Sequence, residues 1–456
     1  MTSNRAIFRK LALCIMAALL PLLSISQKRH VKGLESLMHM ADTANPHLRE
    51  SLREQELSDA QWHFAREWWL PELSAGVRAH QLGGAAMNGN GNFYLDVSRD
   101  NLWMGPGLEA KWNVLSGKTT VQRADLAREA AGFRHQVRRN LVLLEIADSY
   151  FRLLQARQTL DALDNLRKLS DQVSEQLLVH VNAGLAYSSD WLLFQSGTRR
   201  IQSEMQEMLA NEERHSIALS VLLGLDPETE WILEDSLSPP NQHPDSLPAS
   251  LDQFVAQRPE FRAAETRIRD AQLAEKQLRQ DRSFPQIEFQ ASSALFGRVG
   301  KDVEPVQTAQ HPETHSLYPT TEINLSLSWQ IPLGYLLRGN ERKTLALQKK
   351  LTEDQLNTIE AGLRAEMHAA YRSVRLASQK YAFCSEAVNF AVEALEQASS
   401  RIALGVVRPM EHLQAMESTL VGQRNMLDAL AKLNFETFRL KLALGTPFDS
   451  NFFRIE

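Results

Sequence analysis

The sequence predicts a mainly α fold with a transmembrane β part, built from one unit used twice. Three observations predict it. An offset of about 221 residues relates the two halves. Four short segments alternate apolar and polar residues with a period of two. Two helical runs exceed the length that ordinary globular helices reach.

The start of the chain is expected to be a cleaved export signal over residues 1–26. Arg5, Arg9 and Lys10 precede an apolar run over 11–23, and Ser24-Ile25-Ser26 offers small residues for cleavage. A membrane anchor is the competing reading, but the run is short for a span and Pro21 interrupts it. Cys14 lies inside the run behind Leu13, a poor lipidation site, so lipidation is rejected. Once the signal is removed only Cys384 remains, which allows no intrachain disulfide and no cysteine metal cluster. The 456 residues carry a net charge of −5, with no basic footprint for nucleic acid and no polybasic membrane patch. Beyond the signal no apolar run is long enough for a spanning helix, so a membrane crossing would need strands.

The duplication is read from paired residues. Tyr150 answers Tyr371, Glu175-Gln176 answers Glu396-Gln397, and Gly184 answers Gly405. Asp190 answers Glu411, and Leu223-Gly224 answers Leu444-Gly445. Upstream the register shifts slightly, with Trp112 answering Trp329 and Asn45-Pro46 answering Arg258-Pro259. The first repeat is expected over 27–225 and the second over 250–447. Residues 226–249 form the joint, rich in proline at Pro239, Pro240, Pro244 and Pro248. Residues 448–456 form a tail.

Each repeat opens with a polar helical run, 47–68 or 250–282, which a proline ends. Strands follow at 71–81 and 102–115, and at 285–297 and 321–333. In the last of these, Ile323, Leu325, Leu327, Trp329 and Ile331 share one face, and Asn324, Ser326, Ser328 and Gln330 share the other. The remaining three alternate likewise, with Glu72, Arg78, Glu109, Lys111 and Glu288 on the polar faces. Such segments suit either a tilted membrane strand or a half-buried strand of a soluble sheet. The export signal and the solvent-suited loops at 82–100 and 298–320, rich in turn residues, favour the membrane. Four strands cannot close a barrel, because about eight is the practical minimum. Unpaired strand edges are not tolerated in hydrocarbon. Spanning therefore requires several protomers to share one barrel, with the polar faces lining a wet lumen.

The helical hairpins are expected over 118–224 and 338–445. Residues 118–181 contain no proline, and at ~1.5 Å per residue such a run reaches roughly 100 Å. Leu143, Ile146, Tyr150, Leu153, Leu154, Leu160, Leu163 and Leu166 recur at three- and four-residue spacing. Ala369, Ala370, Ala377, Ala382, Ala387 and Ala391 would allow close helix approach. Each hairpin turns at a glycine, Gly184 or Gly405, since glycine supplies the left-handed conformation that stops a helix. The turns run Gly184 to Asp190 to Leu192, and Gly405 to Glu411 to Leu413.

The duplicated strand pair, the long helices and this turn pattern resemble the TolC family of outer-membrane efflux proteins over residues 40–447. The resemblance implies a homotrimer with a shared twelve-stranded barrel in outer-membrane lipid and a helical periplasmic tunnel. It implies two partners, a periplasmic adaptor protein and an inner-membrane pump, and no cofactor. It places Asp190 and Glu411 near a closed aperture, where a symmetric ring of acids can favour cations. Capping of helix N-termini is the other reading of both acids. Some members carry a basic residue two places after the second turn glycine that ties the gate shut. Here that place holds Val407, and Arg408 lies one residue late.

Several motifs are set aside. Ser116-Gly117-Lys118-Thr119-Thr120 lacks the earlier glycine of a phosphate loop, since that place is Trp112. Met38-His39-Met40 could bind a soft metal but suits an amphipathic helix better. His311 and His315 fall in a loop. Trp103, Trp112 and Trp329 suit either membrane interfaces or ordinary strand positions. The leading functional reading is a passive exit duct for efflux or type I secretion. A periplasmic coiled-coil scaffold is the alternative, and an exported enzyme ranks last because no nucleophile–base constellation emerges.

Overall fold

A computed structural model describes residues 29–31, 33–87, 91, 93–233, 235–240, 250–298, 317–403 and 409–445. The expected signal and tail, His311, His315, Gly405 and Arg408 lie outside the described residues. The first half contains β1 (Arg29–Val31), α1 (Leu34–Ala44), α2 (Pro46–Arg66), β2 (Glu72–Met87), β3 (Phe93–Trp112), α3 (Val114–Asn182) and α4 (Ser188–Leu222). Then come β4 (Trp231–Leu233), α5 (Asp252–Gln257), α6 (Pro259–Ser283), β5 (Gln286–Arg298) and β6 (Leu317–Ser328). The chain continues with α7 (Leu333–Leu337), α8 (Asn340–Ala403) and α9 (Pro409–Ala443). It divides into two compact units.

The first unit comprises Met1–Arg53, Arg134–Phe261 and Ile359–Glu456. Its helices close on apolar seams rather than on one round core. In α8 the buried residues Leu363, Ala370, Ala377, Ala391 and Ala398 form one seven-residue row, and Met367, Val374, Val388, Leu395 and Ile402 form the second. That is the a/d seam of a coiled coil, whose period of 3.5 keeps one stripe facing the partner helix. Cys384 completes the first row, half-buried. Of the alanines singled out above, Ala370, Ala377 and Ala391 lie in this seam, whereas Ala369, Ala382 and Ala387 face outward. In α3 the apolar stripe is buried as its spacing predicts, including Leu143, Ile146, Tyr150, Leu153, Leu154, Leu163 and Leu166. Each such side chain removed from water contributes ~1.5–3 kcal/mol.

Two polar clamps fasten the ends of the returning helices. Asn45 caps α2 by accepting the Leu48 N–H at 3.0 Å, and its Nδ2 donates to the Leu222 carbonyl at the end of α4. Arg258, almost fully buried, donates from one guanidinium nitrogen to the Leu442 and Ala443 carbonyls at 3.1 Å each. Its other nitrogens form a fork on Glu260 at 3.0 and 2.9 Å. Both clamp residues precede a proline, and each satisfies C-terminal carbonyls that the helix itself leaves open.

The joint between the repeats is partly structured among the described residues. Trp231 is buried, and its indole N–H donates to Ser220 Oγ at 2.9 Å. β4 pairs with β1 in parallel, Arg29 opposite Trp231. An apolar indole with a satisfied N–H outweighs the proline-rich composition around it. The second polar helical run is broken into α5 and α6, because Pro259 cannot continue the helix that precedes it.

The second unit comprises Glu54–Phe133 and Arg262–Thr358. It holds one antiparallel sheet with strand order β2-β3-β5-β6. The strands depart from the expected bounds. β2 and β3 stay paired out to Met87 opposite Phe93, so most of the expected loop at 82–100 is strand. The glycines and asparagines of that stretch, which read as turn residues, hid the pairing. A bulge between Gly84 and Ala86 absorbs the change of register. At the other end β3 stops at Trp112 and β6 at Ser328. Asn113 Oδ1 accepts the Ser116 N–H at 3.1 Å and starts α3 early. Pro332 precedes α7, so the expected strand ending at 333 stops short. Within β3, Gly105 lets β5 approach, since a Cβ there would meet the Ser293 carbonyl at 2.6 Å.

Candidate functional site

Two regions hold the residues singled out in the sequence, the sheet in the second unit and the helical turns in the first. The sheet register aligns its polar residues into rows. Glu72 lies opposite Glu109, Glu109 opposite Gln290, and Gln290 opposite Asn324. The next row runs from Lys111 to Glu288 to Ser326. Lys111 Nζ stands 2.9 Å from Glu109, and Ser326 Oγ donates to Glu288 at 3.3 Å. In the register Arg78 pairs with Trp103. The sheet thus gathers Glu72, Glu109, Lys111 and Glu288 on one side.

The opposite face is apolar and uncovered. Leu73, Leu325 and Ile323 are exposed by 74, 73 and 72%, and Val77 by 63%. A soluble sheet buries such a face against a second layer, and an exposed patch of this kind marks contact with lipid or a partner. Trp112 stacks on Phe289 with centroids 6.1 Å apart, and its indole N–H donates to the Trp69 carbonyl at 2.8 Å. Trp112 and Trp329 both sit where the strands hand over to helices, the level at which indole suits a membrane interface. At the two ends of the strand order, β2 and β6 each have one edge with no neighbour among the described residues.

At the first helical turn, Gly184 adopts φ 73°. Leu185 N–H donates to the His180 carbonyl at 2.8 Å and Gly184 N–H to the Val181 carbonyl at 3.0 Å. This is the Schellman pattern, which only a residue tolerant of positive φ closes without strain. Asp190 then lies in the first turn of α4, and Glu411 in the first turn of α9. Both positions favour a carboxylate through the helix dipole.

Behind the turns lies a residue that the sequence did not single out. His412 is fully buried, stacked on Phe194 with centroids 5.8 Å apart, and its Nδ1 lies 3.4 Å from Ser399 Oγ. Burial holds its imidazole below the usual value. A lone histidine beside an acid carries no sequence signal, which is why it was missed. All four long helices contribute to the apolar cluster around it, including Leu177, Ile201, Leu395 and Met416. Ion pairs between α4 and α9 flank that cluster, Arg200 with Glu417 at 2.6 Å and Arg424 with Glu204 at 2.7 Å.

The set-aside motifs are accounted for. Gly117 is inside α3, where the Trp68 indole would lie 2.4 Å from any Cβ, and Gln277 donates to the Ser116 and Thr120 hydroxyls. That is helix packing, not a phosphate cradle. Met38 is buried in the core, while His39 stands 3.9 Å from Glu35.

No protein-family profile matches the chain. Its sequence is 24% identical over 430 residues to outer membrane protein OprJ of Pseudomonas aeruginosa, covering 91% of this chain and 84% of that one. Its fold is similar to the Campylobacter jejuni CmeC outer membrane channel, with a TM-score of 0.73 at 14% identity, covering 92% of this chain and 86% of that one. It is also similar to the outer membrane protein VceC of Vibrio cholerae, with a TM-score of 0.70 at 16% identity, covering 91 and 97%. The chain therefore shares the fold of these outer-membrane proteins.

Proposed function

We propose that this protein is the outer-membrane exit duct of a tripartite efflux or type I secretion system. One observation carries the reading: a sheet polar on one side, bare and apolar on the other, and open at both edges. In hydrocarbon each unpaired backbone group costs several kcal/mol, so β6 of one copy must pair with β2 of the next. Three copies of four strands give twelve, enough for a barrel with a wet interior. Glu72, Arg78, Glu109, Lys111 and Glu288 then line the lumen.

The helical turns would form the periplasmic tip, contacted by an adaptor protein that joins the duct to an inner-membrane pump. Transport through the duct is passive and asks for no catalytic side chain, because the pump supplies the energy. Asp190 and Glu411, each repeated by symmetry, make acidic rings at the aperture that favour cations. Arg408 and Gly405 belong to the second turn, and a basic lock there would rest on Arg408.

Conductance of purified trimers in planar bilayers tests the reading. The expected result is a discrete channel whose cation preference falls in the double variant Asp190→Ala, Glu411→Ala. Unchanged conductance and selectivity would leave those acids as helix caps alone. Absence of any channel, together with unaltered resistance to toxic compounds and metals after deletion, would favour the scaffold alternative.

A further inference from the structure

The two repeats part company where strand gives way to long helix. In the first, β3 ends at Trp112 and α3 begins two residues later, with Gly117 covered by the Trp68 ring. In the second, ten residues intervene between Trp329 and Asn340, and five of them form α7. Its sequence is Leu-Gly-Tyr-Leu-Leu. One side of α7 is fastened: Arg342 donates from two nitrogens to the Tyr335 hydroxyl at 2.9 and 2.6 Å and lies over its ring. Leu333 and Leu337, four residues apart and so on one helical face, are 71 and 80% exposed. Gly339, at φ 61°, ends α7 and turns the chain into α8.

We infer that α7 is an interfacial foot that seats Leu333 and Leu337 among the phospholipids of the periplasm-facing leaflet. The inference rests on the channel reading above. Its first support is continuity, since Ile323, Leu325, Leu327, Trp329 and Ile331 carry an exposed apolar strip along β6 straight to Leu333. Its second is level: α7 follows Trp329 at the helix end of the sheet, where chain leaves hydrocarbon for headgroups. Its third is charge, because the exposed cations Arg338 and Lys343 follow the two leucines in the chain, the composition of a segment lying in the interface beside lipid phosphates. A buried fit against the chain's own helices, such as Trp68 provides in the first repeat, is absent at these two leucines.

Site-directed spin labelling tests it in full-length trimers reconstituted in phosphatidylethanolamine–phosphatidylglycerol nanodiscs. Leu333→Cys, Leu337→Cys and, as the strand reference, Leu325→Cys are each made in a Cys384→Ala background, with trimer integrity checked by size exclusion. Collision with oxygen reports lipid, and collision with a water-soluble nickel chelate reports solvent. The expected result is an oxygen-to-nickel ratio at 333 and 337 as high as at 325. A label at 333 and 337 open to nickel would overturn the inference, as would one shielded from both reagents, which would mean that a second copy covers α7. If position 325 itself proves open to nickel, the sheet does not face lipid and the channel reading falls together with this one.

Discussion

The two repeats solve one structural problem with different chemistry. Each must hold the open carbonyls at the end of its returning helix. The first uses Asn45, a short neutral amide that reaches Leu222. The second uses Arg258, which reaches Leu442 and Ala443 and is itself neutralised by Glu260. Ala443 stands where Leu222 stands, one repeat further on, so the clamp outlived the divergence of the residues that make it. What was kept is the demand for a donor at a buried helix end, not a side chain.

That comparison is testable in order of size. Arg258→Ala is expected to cost about 3–5 kcal/mol, because it leaves two helix-end carbonyls and the part-buried Glu260 without their partner. Asn45→Ala should cost only ~1–2 kcal/mol, the value of a cap and one hydrogen bond. Denaturant unfolding of the purified protein measures both, and equal losses would break the proposed asymmetry. Arg258→Lys should rescue little, since an ammonium cannot reproduce the fork on Glu260.

A second pair sharpens it. Gly224 and Gly445 occupy equivalent positions with φ 62° and 65°. Alanine at either loses ~1 kcal/mol through left-handed backbone strain. At Gly224 its Cβ would also meet the Ala44 carbonyl at 2.6 Å, whereas at Gly445 nothing lies within 4 Å. Gly224→Ala is therefore expected to destabilise about threefold more, as backbone overlap has no flexible relief. Matching unfolding midpoints for the two variants would contradict this.

The smallest effect concerns His412. Burial depresses its folded value, so below the unfolded histidine value of about 6.5 the unfolded chain binds the extra proton and the folded one does not. Stability should therefore fall as pH drops through that point towards the folded value. His412→Phe, which keeps the stack on Phe194, should flatten the acid limb of a melting-temperature profile. It should not abolish the slope, because burial also lowers His215. An unchanged slope would mean that His412 does not sense pH.

Legibility followed the range of the forces involved. The alternation in β6 and the three- and four-residue spacing in α3 arise from local periodicity, so Leu325 and Ile146 could be assigned before any fold was known, whereas the seven-residue rows of α8 were not read. Gly184 was equally plain, since a helix stop needs positive φ. The polar face was legible as a set, but the row Glu72–Glu109–Gln290–Asn324 depends on a register that single strands do not specify. The extension of β3 back to Phe93 was hidden by the run of glycine and asparagine before it, although Phe93, Leu95 and Val97 alternate with Asp96 and Ser98. Asn45 and Arg258 were visible as repeat markers, yet their partners lie 177 and 184–185 residues away. His412 gave no signal at all, because its meaning comes from Phe194 and Ser399 on other helices. Arg408 and Gly405 fall outside the described residues, so the second turn stays as the sequence reads it.

The central claim is that the bare side of the sheet meets hydrocarbon and that its open edges pair between copies. Mass measurement of the mature protein extracted from outer membranes tests this most directly. The account predicts a trimer that exists only in detergent or lipid and that migrates as a larger species until heated. A monomer that remains soluble without detergent and fractionates with the periplasm would contradict it.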